Sequence, residues 1–196
     1  KGTQPFWDQT KRFCIIYNGE VYNFKELRSE LQKKGHRFRT GTDTEVLLYL
    51  YIEHGKKCLD LIDGFFSFAI YDQKEKTVFI ARDRFGIKPL VYCIEKDQFL
   101  FASEIKALLP LLKKKELDKT SLYQYLQFTY IPAPNSIYKG VKKLLPGHSM
   151  LIKGGEVTIE KYYQLQWNPS NYSTLSYHSQ KEQLLELLEN SVQQRL

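Results

Sequence analysis

The sequence predicts an α+β domain, on three observations. A short apolar run at residues 13–17 is followed by two segments that open on capping residues and close on glycine. Four β-rich runs crowd between residues 64 and 102 with no helical stretch between them, and a further pair of such runs meets at Gly154-Gly155.

Taken in order, the run FCIIY at 13–17 sits between Lys11-Arg12 and Asn18-Gly19 and reads as a strand buried on both faces. Asn23 precedes Phe24, Leu27 and Leu31 at helical spacing, with Glu26 placed as in a capping box and Gly35 as the stop. Thr42-Asp43-Thr44-Glu45 repeats the start signal; Val46, Leu47, Leu50 and Tyr51 supply one apolar face, and Gly55 ends the helix. From Gly64 the period falls to two, and 64–70, 78–81, 90–94 and 99–102 read as four strands at meander spacing. They must pair antiparallel, because a parallel crossover needs about a dozen residues. Residues 103–112 and 118–127 read as helices, the second capped by Asp118. Pro132-Ala133-Pro134 breaks the chain, 149–153 and 156–161 form a hairpin, and 167–179 is polar linker. In the closing helix Leu184, Leu185, Leu188, Val192 and Leu196 line one face whose partner surface is not in this chain.

Composition excludes several function classes. A chain of 196 residues, 42% hydrophobic, builds a real core, yet no apolar run approaches the ~20 residues of a membrane span. No charged-then-apolar leader opens it, so the expectation is a cytoplasmic protein with no membrane partner. Cys14, Cys58 and Cys93 are odd in number and far apart, which argues for buried thiols over disulfides or a metal clip. His36, His54, His148 and His178 lack zinc-ligand spacing, so no metal is expected. The net charge of +7 comes from scattered lysines, with Lys113-Lys114-Lys115 the only triplet, which reads as solvated loops and no nucleic-acid partner. The chain opens at Lys1 on a loop-like Gly-Thr-Gln-Pro and holds one methionine, Met150, so it reads as a fragment.

Asn18-Gly19 is the strongest short hairpin signal, since both residues tolerate positive φ. Against that, Asn23 starts a helix where a hairpin would need a second strand. The competing reading is a strand-to-helix junction, where the Asn18 carboxamide and the Gly19 N–H form a pair of oxyanion donors. Asp43, in the first turn of a helix, either complements the dipole or grips a ligand across a cleft from Asn18. Glu20 is either a solvated acid or part of the same site. Arg82, Asp83 and Arg84 ahead of Gly86 read first as a turn held by an ion pair, and second as a charged site.

The stretches YNGEVYNFKELRSEL, GHRFRTGTDTEVLLYLY, DGFFSFAIYD, ARDRFGIKPLVY and FASEIKALL resemble, in order, the motifs of class II glutamine amidotransferase domains. The later PAPNSIYKGVKKLLPGH is similar to the segment that closes this domain in glutamine-hydrolysing asparagine synthetases. The resemblance implies an N-terminal-nucleophile hydrolase: a four-layer αββα sandwich of two antiparallel sheets, here incomplete at its amino terminus. It implies a glutaminase domain over 1–165, a linker over 166–179 and, from 180 to 196, the first helix of a missing ATP-dependent synthetase domain. In the family an amino-terminal cysteine attacks the glutamine amide with its own α-amine as base, and ammonia passes to the synthetase domain to amidate aspartate.

Carried over by position, Asn18 and Gly19 are the catalytic oxyanion donors, and Asn18, Gly19, Glu20 and Asp43 bind glutamine, Asp43 through its α-ammonium. No cofactor is implied in this domain; ATP and magnesium belong to the synthetase domain, which with glutamine is the implied partner, and a homodimer stays open. The nucleophilic cysteine is absent from this sequence, so the chain as given is expected to be inactive. Cys14 does not replace it, because an apolar strand raises a thiol's pKa. Two alternatives stand: a non-hydrolytic glutamine-binding or partner-binding domain of the same fold, and an amidotransferase acting on another acceptor.

Overall fold

A computed structural model describes residues 3–95, 98–168, 170 and 172–195. Lys1, Gly2 and Leu196, which entered the reading of the two chain ends, lie outside the described residues. The chain divides into two compact units, Lys1–Tyr163 and Gln164–Leu196.

The first unit runs β1 (Phe6–Trp7), β2 (Phe13–Val21), α1 (Phe24–Lys33), α2 (Asp43–His54), a 3₁₀ turn (Gly55–Lys57), α3 (Cys58–Leu61), β3 (Gly64–Asp72), β4 (Thr77–Arg82), β5 (Val91–Glu95), β6 (Gln98–Ala102), α4 (Ile105–Leu108), α5 (Lys119–Phe128), β7 (Val141–Lys143), β8 (His148–Lys153) and β9 (Glu156–Lys161). The strands form a six-stranded sheet of order β1-β2-β3-β4-β8-β9 and a three-stranded sheet of order β6-β5-β7. Every pairing is antiparallel.

Alternation along the strands sorts side chains into three cores, and the cores define the layers. Ile15, Tyr17, Phe66, Phe68, Ile70 and Phe79 pack under α1, α2 and α3. Ala69, Ile80 and Met150, on the opposite face of that sheet, meet Leu90, Tyr92 and Leu144. Val91, Cys93 and Val141 turn the other way, toward Leu108 and Leu112. Helices, sheet, sheet and helix therefore stack in four layers.

Several expectations change. β2 does not end at Tyr17: it continues through Asn18, Gly19 and Glu20 to Val21, in unbroken register with β3. The Asn-Gly pair is strand, not turn. Nor is β2 buried on both faces, since Ile15 is fully buried and Ile16 is 42% exposed. The four runs do not make one meander. β3 and β4 belong to the large sheet and β5 and β6 to the small one, because the segment after Arg82 leaves the sheet and is locked in place by its own polar groups. The Arg82 guanidinium donates to the carbonyls of Lys88 and Gly86, each at 2.7 Å, and to that of Leu144. The Asp83 carboxylate accepts from the backbone N–H groups of Phe85, Ile87 and Lys88 at 2.9–3.1 Å. Each charge is satisfied by main chain, so the expected ion pair is replaced by two separate backbone clamps.

Asn23 does not cap α1. Its amide donates to the Leu61 carbonyl at 2.9 Å and accepts from Asp63 N–H at 3.0 Å, tying the start of α1 to the entry of β3. The helix expected over 103–112 shrinks to the single turn of α4. Thr42 does cap α2, and α2 is buried continuously from Thr44 to Leu50, since it lies between α1 and the sheet and shows no single polar face.

The second unit holds α6 (Tyr177–Gln193), capped by Ser176, which accepts from Ser179 N–H at 3.2 Å. α6 begins inside the expected linker. Leu184, Leu185, Leu188 and Val192 on it are all more than half exposed.

One ion pair gives the large sheet a pH dependence. Arg12 grips Asp72 with two bonds, Nε to Oδ1 at 3.0 Å and Nη2 to Oδ2 at 2.7 Å. That bond, helped by backbone N–H groups of Glu75 and Lys74, holds the Asp72 carboxyl below the usual carboxylate range. A folded-state pKa lowered below the unfolded value of about 3.9 stabilises the fold above that pH, and the gain is lost as pH falls through the folded value. Asp72→Asn is therefore expected to lower the urea midpoint at pH 7, with the gap to the parent protein closing below about pH 4.

Candidate active site

β1 covers only Cys14 and Ile15 of its neighbour, so among the described residues most of that edge of β2 carries no strand. In a strand the N–H and C=O groups of alternate residues point to the same edge. Tyr22 N–H donates to Asp63 on the β3 side, which sends the even-numbered residues inward. The odd-numbered ones face the free edge. There the Gln4 side chain clasps Tyr17 from both sides, accepting from its N–H at 2.6 Å and donating to its carbonyl at 2.8 Å. Two residues on, Gly19 presents its N–H to the same edge. Two further on, Val21 N–H donates to Asp43 Oδ2 at 3.1 Å.

Asp43 comes from the first turn of α2, and its setting explains why it reaches β2. Ahead of it the loop at 39–42 is folded around Glu45, which is fully buried. The Glu45 carboxylate accepts from Arg39 N–H at 2.9 Å, Thr40 N–H at 2.6 Å and the Thr40 hydroxyl at 2.7 Å. Asp43 Oδ2 accepts a second bond, from the Tyr17 hydroxyl at 2.8 Å. Burial first, and Asp43 second, push the Tyr17 phenol far above its ordinary pKa, so it remains a donor at any working pH. Both bonds fall on Oδ2; Oδ1 has no hydrogen-bond partner among the described residues.

Asn18 points the other way. Tyr17 enters the core beneath the helices, so its neighbour Asn18 projects from the opposite face of β2 and lines a cleft of about 160 Å³ with Ile16, Ala69, Leu90, Phe101 and Ser103. Its Nδ2 lies 3.4 Å from Ser103 Oγ. Glu20 is exposed on the Asn18 face. Asn18 and Asp43 thus do not face each other across one cleft, as the sequence led us to expect. They flank the free edge of β2 from its two faces, with the Gly19 peptide between them.

Gly19 has a reason independent of any ligand. A Cβ there would sit 2.2 Å from the Phe65 carbonyl oxygen and 2.7 Å from Phe66 Cα, so only glycine allows this close pairing with β3. Gln4, Tyr17 and Ser103 were not singled out from the sequence. Tyr17 carried a signal, an aromatic hydroxyl one position out of phase with Asn18 on a strand. Gln4 and Ser103 carried none.

The thiols stay protonated near neutrality. Burial raises Cys14 and Cys93, and pushes Cys58 up to about 12.

Residues 1–163 match the family model described as a glutamine amidotransferase domain. Among characterised relatives, the chain is 40% identical over 169 residues to the glutamine-hydrolyzing asparagine synthetase 1 of Bacillus subtilis (strain 168), covering 86% of this chain and 27% of that protein. It is 41% identical over 157 residues to asparagine synthetase 3 of the same organism, covering 79% of this chain and 25% of that one. It thus spans about a quarter of the length of these relatives. Among solved structures, the glutamine phosphoribosylpyrophosphate amidotransferase of B. subtilis, complexed with ADP and GMP, superposes with a TM-score of 0.59 at 22% identity, over 83% of this chain and 32% of that one. That likeness is one of fold, and it agrees with the two antiparallel sheets seen here. With its model matched across the whole first unit, the chain belongs to the family of glutamine amidotransferase domains.

Proposed function

We propose that this chain is the glutamine-hydrolysing part of an asparagine synthetase, supplying ammonia to an ATP-dependent part that amidates aspartate. The observation that supports it is the edge of β2 where, among the described residues, the Gly19 peptide N–H has no partner and lies between a carboxamide and a carboxylate oxygen, Asp43 Oδ1, that has none either. A glutamine laid on this edge would give its α-ammonium to Asp43 Oδ1 and its side-chain carbonyl to Asn18 Nδ2 and Gly19 N–H. The nucleophile would be the amino-terminal cysteine that the family resemblance implies. Its sulfur bonds to the amide carbon, the oxygen takes up negative charge, and the C–N bond breaks as the leaving nitrogen accepts a proton and departs as ammonia. Water then cleaves the thioester to glutamate. Glu20, exposed beside the edge, would contact the substrate's polar groups.

ATP and magnesium would be held by the synthetase part, and no step on this chain runs through them. Glutamine and that synthetase part would be the domain's partners, in the cytoplasm. No helix among the described residues is long and apolar enough to cross a membrane.

The test is Asp43→Asn in the full-length protein. Loss of a charge-assisted bond to the ammonium, about 1.5–3 kcal/mol, is expected to raise the KM for glutamine about 10- to 100-fold. Ammonia-dependent synthesis should be unchanged. Equal losses in the two assays would remove Asp43 from substrate binding.

A further inference from the structure

On the core face of β2 the side chains of Tyr17 and Val21 flank Gly19. The Tyr17 ring leans along the strand past Gly19, where a Cβ would stand 3.0 Å from Tyr17 Cε2. Its hydroxyl thereby reaches Asp43 Oδ2 at 2.8 Å, beside the Val21 N–H at 3.1 Å from the same oxygen. One oxygen of this carboxylate takes two donors from β2, and the other takes none among the described residues.

Asp43 is the first residue of α2 and is half-buried. An aspartate at that place has competing partners close by, because the N–H groups of a helix's first turn lack acceptors and a short acidic side chain can fold back onto them. A carboxylate turned that way would leave the edge of β2. The Tyr17 hydroxyl prevents this, and it is itself fixed before any ligand arrives. Tyr17 is 9% exposed among core side chains, and the Gln4 carboxamide clasps its main chain at 2.6 and 2.8 Å. A hydroxyl donating to a carboxylate makes a charge-assisted bond, the stronger kind, so it sets the rotation of the acid.

We propose that Tyr17 is a positioning residue: its hydroxyl holds Asp43 Oδ2 against β2, so that Oδ1 is aimed at the α-ammonium of glutamine. This role rests on the glutamine-binding reading of the edge given above. In the full-length protein Tyr17→Phe, which removes the hydroxyl and keeps the ring, should raise the KM for glutamine about 5- to 20-fold with kcat within about twofold. Ammonia-dependent synthesis should be unchanged. With Asp43→Ala already present, Tyr17→Phe should alter KM by less than about twofold, because no carboxylate is left to aim. Glutaramate, which is glutamine without its α-amino group, separates aim from packing. Its inhibition constant against glutamine should be the same in the parent and in Tyr17→Phe, whereas a general loosening of the site would weaken both ligands. If Tyr17→Phe does not fold, Gln4→Ala, which loosens the Tyr17 main chain, should give the same split at about 2- to 5-fold. Where Asp43→Ala raises KM, three results would overturn the positioning role and leave the glutamine reading standing: an unchanged KM in whichever variant folds, equal weakening of glutaramate, or additive effects in the double variant. An Asp43→Ala protein with the parent KM would instead remove Asp43 from substrate binding, and the role of Tyr17 with it.

Discussion

Glu45→Ala is expected to lower the stability of the domain by about 3–5 kcal/mol, the loss expected when a buried, paired charge is removed and its partners are left unsatisfied. Three donors converge on this carboxylate, two of them backbone N–H groups at Arg39 and Thr40, and it is fully buried. Truncation leaves those donors facing a cavity, and a typical domain has only about 5–15 kcal/mol to lose. By contrast Thr42→Ala removes a cap bond of 3.5 Å and a bond of 2.9 Å to the Thr40 hydroxyl, and should cost only about 1–2 kcal/mol. Urea denaturation of the two variants checks the order. A Glu45→Ala midpoint no lower than that of Thr42→Ala would show that the loop at 39–42 is held by something other than this carboxylate. The consequence for the site is direct. Asp43 leaves that loop two residues before Glu45, so a Glu45→Ala protein that still folds should also bind glutamine more weakly.

Much of this was legible in the sequence where period and punctuation agreed. Asp118, the hairpin across Gly154-Gly155 and the cap at Thr42 all stand where their local signals put them, because each acts within a few residues of itself. The signals that misled were those with a long-range competitor. Asn-Gly is a turn in isolation, but pairing with β3 holds Asn18 and Gly19 extended. Asn23 has the spacing of a cap, but the Leu61 and Asp63 main chain, some forty residues away, takes its amide. Glu45 fits the third position of a capping box, yet burial turns its carboxylate back to the preceding loop. The split of the four runs between two sheets was out of reach, since it is decided by Arg82 finding carbonyls at Gly86, Lys88 and Leu144. At the site, residue types and spacing pointed to Asn18, Gly19 and Asp43. Which face each one takes depended on the parity of β2 and on Tyr17, information that only the register of the sheet supplies.

Asn18→Ala is expected to reduce kcat for glutamine hydrolysis by about 10²–10³, equivalent to about 2.7–4 kcal/mol of transition-state stabilisation, with little change in KM. The effect depends on where charge develops. A glutamine carbonyl placed at the free edge of β2 meets Gly19 N–H in the plane of the sheet and Asn18 Nδ2 from the cleft face, and both donors are held before substrate arrives. Gly19 is fixed by its pairing with Phe66, and Asn18 by the cleft wall and its 3.4 Å contact with Ser103. Fixed donors need no reorganisation when the oxygen becomes negative, so their effect falls on the chemical step and not on ground-state binding. Ser103→Ala tests the positioning: it leaves the carboxamide in place but frees its rotation, and should cost far less than Asn18→Ala, again in kcat. Ammonia-dependent synthesis should be untouched by both. If instead Asn18→Ala raised KM and left kcat alone, the carboxamide would be a handle for the ground-state amide, and the oxyanion would have to rest on Gly19 and on a second donor elsewhere along this edge.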